Sequence, residues 1–238
     1  MNRRWCNLLR DRHTGERAVL VCNGPSLRNM DLAALRHETV IGLNKIHLGL
    51  PRFGFYPRYL VAVNRKVLEQ SLAEFQTLTC IKFLSNHRPD LYQDGPLTHV
   101  LDTHDPPADF CTDISLGLHE GWTVTFAALQ VAYFLGFHQV VILGMDHRYS
   151  FTGEPNAEAT IEGEDPNHFH EAYFGHGQKW DNPDLASSER SYRLARQVYE
   201  QAGRDIVDAT VDGACQVFRK ADYRQVLATK YSPSAAHG

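Results

Sequence analysis

The stretch Arg17-Ala-Val-Leu-Val-Cys-Asn-Gly-Pro-Ser26 decides the fold. Its strand-forming residues run unbroken into Asn-Gly-Pro-Ser, a strong turn signal. Ser26 then reads as the N-cap of a short helix through Leu35. Outward from this stretch, Thr39–Asn44 and Tyr59–Asn64 read as further strands, and Lys66 to about Leu78 as a helix. Ile81–Ser85 and Leu97–Leu101 read as short strands, followed by an active-site-side loop from Asp102 to Asp113. Thr123–Leu135 is an apolar helix closed by Gly136, the glycine expected just past a helix end. Val140–Leu143 runs without a polar break into Gly144-Met145-Asp146, which fits a strand covered on both faces. A helix from about Asp184 to Ala202 precedes a last strand, Asp205–Ala209, and Cys215–Phe218 is expected to pair at a sheet edge.

Strands alternating with helices predict an α/β domain, a Rossmann-like open and mainly parallel sheet with helices on both faces. The expected organisation is an N-terminal arm or helix at 1–16, one nucleotide-binding domain at 17–227 and a flexible tail at 228–238. Residues 147–183 form a long His-rich loop without apolar period, and loops of that length in compact domains are usually functional.

Composition narrows the function. At 238 residues the chain is one large domain, and 43% apolar with 22% charged residues marks it as globular. A net charge of −4 argues against a nucleic-acid partner. No window approaches the ~18 consecutive apolar residues of a membrane span. Met1–Arg17 has no apolar core of a signal peptide. The five cysteines form no CxxC pair, and an odd count argues against a disulfide framework, so reduced thiols in the cytoplasm are expected.

Three apolar runs stop at asparagines, Asn23, Asn44 and Asn64, and a fourth stops at Asp146. In open α/β sheets ligands bind beyond the carboxyl ends of the strands. An amide that both donates and accepts suits ribose hydroxyls and base edges; asparagine also simply favours turns. The turn 23–27 places backbone N–H groups where a phosphate can bind. It lacks both the Walker A lysine and a GxGxxG spacing. The helix opening Gly121-Trp122-Thr123-Val124-Thr125 carries two hydroxyls in its first turn. His147, His168, His170 and His176 crowd the long loop, and three readings stand. They are a metal site of His168, His170 and Asp146, a general acid or base, and plain packing. Asp146 can orient a hydroxyl, hold a metal-phosphate complex or cap a turn, and Arg148 and Tyr149 beside it can meet a phosphate.

The runs Val21-Cys-Asn-Gly-Pro-Ser-Leu27, Gly42-Leu-Asn44 and Phe134-Leu-Gly-Phe-His-Gln-Val-Val-Ile-Leu-Gly-Met-Asp146 resemble the MptE-like family. That family is named for an archaeal 6-hydroxymethyl-7,8-dihydropterin diphosphokinase and includes factors linked to flagellar glycosylation. The same motifs resemble bacterial CMP-sialic acid-dependent sialyltransferases. That resemblance implies nucleotide contacts at Asn23, Gly24, Ser26, Asn44, Asn64, Thr123, Thr125, Gly144, Arg148 and Tyr173. The Thr-Ser-Gly of those enzymes is replaced here by Thr123-Val124-Thr125. It further implies catalytic roles for His176, in the matching Tyr173-Phe174-Gly175-His176, and for Asp146 and Tyr149. A phosphate-binding tyrosine of those enzymes falls on Arg148, with Tyr149 adjacent.

The expected function is a nucleotide-dependent transferase, foremost a glycosyltransferase that uses a CMP-activated acidic sugar in surface-glycan synthesis and needs no cofactor or metal. One alternative is transfer of diphosphate from ATP to a hydroxymethylpterin or other alcohol, with Mg²⁺ held by Asp146 or by Glu162, Glu164 and Asp165. Another is a nucleotide-binding module without catalysis. The expected partners are a nucleotide or nucleotide-sugar donor and a small-molecule or glycan acceptor, with a homo-oligomer implied by the habits of related proteins.

Overall fold

The computed structural model describes residues 6–104 and 108–231. The start of the N-terminal arm, part of the Asp102–Asp113 loop and the end of the expected tail lie outside the described residues. The main sheet has eight strands, all parallel. They are β1 (Arg17–Val21), β2 (Thr39–Leu43), β3 (Tyr59–Ala62), β4 (Ile81–Ser85), β5 (Thr98–Leu101), β8 (Gln139–Leu143), β11 (Asp205–Asp208) and β12 (Arg219–Lys220). The short pair β6 (Thr103–His104) and β7 (Leu118–His119) stands apart, as does the hairpin of β9 (Glu158–Thr160) and β10 (Lys179–Asp181). The helices are α1 (Leu50–Phe53), α2 (Arg65–Gln70), α3 (Leu72–Thr77), α4 (Val124–Phe134), α5 (Leu185–Gln201) and α6 (Tyr223–Ala228).

The strand order is β12-β11-β8-β1-β2-β3-β4-β5. The chain starts in the middle, walks outward to β5, then crosses back to β8 on the other side of β1. The order therefore reverses at β1, and a crevice opens beyond its carboxyl end. Both faces are covered, which is why β1 from Ala18 and β8 from Val140 are apolar to their ends. Ala18 and Leu20 pack on one side with α4 and α5, against Phe126, Leu129 and Tyr199. Val19 and Val21 pack on the other, with Leu27, Ile46, Phe53 and Phe75. α4 is buried on nearly every side, so it carries no polar stripe.

Four local expectations are corrected. Ser26 is not an N-cap. Gly24 occupies that position before a 3₁₀ turn, Pro25–Asn29, and a second 3₁₀ turn at Ala33–His37 replaces the single helix through Leu35. The helix expected from Lys66 is broken at Ser71 into α2 and α3. Cys215, Val217 and Phe218 are drawn into the core, so the edge strand is the exposed Arg219–Lys220 instead. The long loop contains the β9–β10 hairpin, a regular element inside a stretch read as irregular. At the C-terminal end, the backbone carbonyls of Val226 and Thr229 accept from Arg17, and Tyr231 pairs with His138.

Candidate functional site

A cleft of about 430 Å³ opens beyond the carboxyl ends of the strands, within the usual range for small-molecule sites. It narrows into a recess at the ends of β1, β2 and β8. Asn44, Thr123, Tyr149, His168 and Tyr173 line both parts. Trp122, Trp180, Asp181, Asn182 and Asp184 line the outer part, and Asn23, Gly24, Thr125, Gly144, Asp146 and Arg148 the inner. Every residue expected at the site except Ser26 and His176 lines one part or the other.

The asparagines at the strand ends do different work. The Asn23 amide donates to Leu43 O at 3.1 Å, and its Oδ1 is buried without a partner. Asn44 sits at φ 45°, and its Oδ1 is likewise buried and unpartnered. Asn64 is spent on local structure: its Oδ1 accepts from Lys66 and Val67 N–H and caps α2. Buried polar groups nearly always find a partner. Two orphan acceptors at the ends of neighbouring strands are therefore open to donors from outside the chain.

Asp146 grips the first turn. Its carboxylate accepts from Ser26 N–H at 3.0 Å and from the Ser26 hydroxyl at 2.7 Å. Gly24 N–H donates to Gly144 O at 2.8 Å. A Cβ on Gly24 would lie 1.9 Å from Asp146 Oδ2 and 2.6 Å from Gly144 O, so only glycine permits this approach. Gly144 itself sits at φ 72° against Leu27. Ser26 thus reaches Asp146 rather than lining the cleft.

Hydroxyls line the recess. Thr123 caps α4, accepting from Thr125 N–H, and its Oγ1 meets the Tyr192 hydroxyl at 3.2 Å. Thr125 faces the Cys22 thiol at 3.6 Å. Burial pushes that thiol up to about 12, so Cys22 stays protonated. Tyr149 is 38% exposed as a residue. Its hydroxyl end is enclosed, and burial with Cys22, Asp146 and Asp165 nearby pushes its pKa well up. Tyr149 therefore remains a donor. Arg148 lines the recess and donates to Asp212 O at 2.7 Å.

The histidines part company. His168 is 9% exposed and lines both parts of the cleft. Its Nδ1 lies 2.7 Å from Asp165 Oδ2, and its ring stacks on Tyr173 at 3.9 Å between centroids. With Nδ1 tied to the carboxylate, Nε2 is the nitrogen left for the cleft. Burial raises the Asp165 pKa. The bond to His168 and the N–H groups of Asn167 and Phe174 outweigh that and hold it below the ordinary value. An ionised carboxylate fixing a histidine tautomer is the arrangement of a general base and its orienting partner. His176 sits instead in an exposed turn and lines neither part of the cleft. His170 accepts from Ala172 N–H and lines a separate surface groove. His147 lies beside Tyr192 and Glu189 in the recess, where burial lowers its pKa.

The metal reading of His168, His170 and Asp146 is not assembled, because the two histidines diverge and Asp146 is bound to Ser26. Among the described residues no three His, Cys, Asp or Glu side chains come together as a metal cage. The run Glu162, Glu164 and Asp165 does not converge either: the glutamates are exposed while Asp165 turns inward to His168.

The sequence did not single out Lys45. It is 4% exposed, and its ammonium donates to Tyr173 O at 2.6 Å, Gln70 Oε1 at 2.8 Å and Gln178 Oε1 at 3.2 Å. It lies 4.8 Å from the Phe174 ring centre, and burial lowers its pKa to about 8. Tyr192 and Trp122, the latter at φ 62°, were also passed over as site residues. The Asp165-x-x-His168 spacing was the legible signal for the dyad.

The family model described as 6-hydroxymethylpterin diphosphokinase MptE-like matches residues 1–152. The chain belongs to the MptE-like family. Two solved structures are similar to it to different degrees. A Maf glycosyltransferase from Magnetospirillum magneticum AMB-1 aligns with a TM-score of 0.58 at 16% identity, covering 93% of this chain and 36% of that one. The chain thus spans about a third of that structure's length. The sialyltransferase CstII from Campylobacter jejuni, solved in complex with a substrate analogue, cytidine-5'-monophosphate, aligns with a TM-score of 0.48 at 12% identity, covering 87% and 85% of the two chains. No curated protein sequence matches the chain. Among the described residues no helix is long and apolar enough to cross a membrane. Family membership and fold together support a nucleotide-related transferase.

Proposed function

We propose that this MptE-like protein transfers a sugar from a CMP-activated acidic donor to an acceptor hydroxyl. The observation that carries the reading is the pair of buried, unpartnered amide oxygens of Asn23 and Asn44 in a cleft also lined by His168. In this reading those oxygens accept from the base amino group and ribose hydroxyls. The N-terminal turn of α4, with Thr123 and Thr125, faces the anionic part of the donor.

His168 takes the place foreseen for His176. The acceptor O–H gives its proton to His168 Nε2, and its oxygen forms a bond to the anomeric carbon. The bond from that carbon to the phosphate oxygen breaks, and CMP leaves with the electron pair. Arg148 and the protonated Tyr149 hydroxyl steady the charge that collects on the phosphate. Asp165 orients His168 through the contact at Nδ1.

The family description favours a second reading, transfer of diphosphate from ATP to a pterin alcohol, with Mg²⁺ as the added requirement. A thermal-shift titration with CMP, CDP, CTP, ATP and GTP, each with and without Mg²⁺, separates the two. Ligand at 100 times Kd raises stability by about 2.7 kcal/mol. A CMP-selective, Mg²⁺-independent shift is expected; an ATP-selective, Mg²⁺-dependent one would replace the sugar-transfer reading with the second. Release of CMP from CMP-sialic acid should fall about 10²–10⁴-fold in His168→Ala and stay near wild type in His176→Ala. The reverse pattern would return the base to His176.

A further inference from the structure

The Asn23-Gly24 corner lines the recess, and the 3₁₀ turn that follows it reaches elsewhere. Arg28, in that turn, reaches across to the His-rich loop. Its Nε donates to Phe169 O at 2.9 Å and its Nη2 to His168 O at 2.7 Å. Phe169 N–H donates in turn to Asn23 O at 2.9 Å. The Arg28 carbonyl is itself held by Arg52 at 2.6 Å. The backbone of His168 is thus fixed by the turn that directly follows the recess-lining Asn23-Gly24 corner. The side chain is fixed separately, through Asp165.

We infer that Arg28 is a positioning residue for His168, coupling the first strand turn to the group that accepts the proton. The inference rests on the reading of His168 as base, but the placement of the loop stands on geometry alone. A planar guanidinium with two donors in fixed register fits two successive carbonyls, and a point charge does not. Arg28 is exposed, and its guanidinium bonds run to two loop carbonyls. Its removal therefore frees the loop without unfolding the sheet. Displacing a catalytic group by about 1 Å can cost 10²-fold in rate.

Two readouts test this in the full chain. The first is the rate at which diethyl pyrocarbonate modifies His168, read by peptide mass spectrometry, in wild type and Arg28→Ala. Modification of His168 should quicken several-fold, while that of buried His13 and His99 stays unchanged. An unchanged His168 rate overturns the inference, and so does a rise at all three histidines, which signals global loosening. The second is CMP release from CMP-sialic acid in Arg28→Ala, His168→Ala and the double variant under single-turnover conditions. Arg28→Ala should lower the rate constant of the chemical step about 10–100-fold at unchanged CMP affinity. Its effect should vanish in the His168→Ala background and be partly rescued by added methylguanidinium. An equal loss in both backgrounds overturns the inference. If His168→Ala releases CMP at the wild-type rate, the base assignment falls, and the labelling result alone decides whether Arg28 positions the loop.

Discussion

Replacing Gly24 with alanine sets two physical effects against each other. The backbone there has φ −70° and ψ 157°, which alanine adopts freely, even before a proline. On backbone grounds alone Gly24→Ala should stabilise the fold by about 0.4–1 kcal/mol, through a less flexible unfolded chain. The added methyl, however, falls 1.9 Å from Asp146 Oδ2 and 2.6 Å from the Gly144 carbonyl. One neighbour is a side chain held by two bonds to Ser26, and the other is backbone next to a buried strand. Separating them loosens three hydrogen bonds: Gly24 to Gly144 at 2.8 Å, and Ser26 to Asp146 at 3.0 and 2.7 Å. A neutral bond contributes about 1 kcal/mol and each carboxylate bond about 1.5–3. The gross loss is about 4–7 kcal/mol, and partial relaxation together with the backbone gain leaves a net cost of about 3–5 kcal/mol. Urea unfolding read by far-UV circular dichroism measures it. The cycle with Asp146→Ala adds a check, because that change removes the nearest obstruction but leaves the carbonyl. The double variant should lose clearly less than the sum of the singles. A cost below about 1 kcal/mol for Gly24→Ala, or an additive cycle, would refute the claim that the turn and Asp146 are packed at contact.

Two further outcomes follow from the site. The Lys45 pKa lies at about 8 in the folded chain, below its ordinary 10.5. Between those values the unfolded chain holds a proton that the folded chain has released, so stability rises with pH, by at most about 1.4 kcal/mol per unit. Cys6 and Cys22, pushed up to about 12 from 9.0, act in the opposite direction above their ordinary value, which makes pH 8 to 9 the window to read. Urea midpoints across it should rise less steeply in Lys45→Gln than in wild type, and parallel profiles would remove Lys45 as the cause. Tyr149→Phe, which in the proposed sugar transfer deletes one donor to the leaving phosphate, should slow CMP release from CMP-sialic acid about 10²-fold; a rate within twofold of wild type would take Tyr149 out of the reaction.

The sheet was legible because its central strands are buried on both faces. Val19-Leu20-Val21 and Val140–Leu143 have no polar alternation to lose, and each ends where a glycine or asparagine turns the chain. The edge strand Arg219–Lys220 carried no such signal, since two exposed charged residues read as loop. Ser26 looked like a cap because a serine before a helix usually is one. Its real partner, Asp146, lies 120 residues away, just past the end of β8, and no local pattern carries that distance. Lys45 was invisible for a similar reason: a lysine reads as surface until the carbonyl of Tyr173 and the side chains of Gln70 and Gln178 enclose its ammonium.

The same limit explains why His176 rather than His168 stood out. A four-residue motif is read locally, whereas burial of a histidine depends on what the rest of a loop does. Here Asp165 turns inward, Tyr173 stacks beneath the ring, and Arg28 and Lys45 hold the loop from two strand turns. The three asparagines make the point most directly, because each stands just past the end of one of three neighbouring strands. A helix begins at Arg65, so the Asn64 oxygen is consumed by the N–H groups of that helix. No first turn of α-helix follows Asn23 or Asn44 in the same way, and their oxygens stay buried without partners. An unsatisfied buried acceptor costs about 1–3 kcal/mol. Folding alone returns nothing for that cost at Asn23 and Asn44, whereas a ligand that donates to both recovers it on binding. Asparagines just past three neighbouring strands thus divide into one whose oxygen caps a helix and two whose oxygens stay open to a donor from outside the chain.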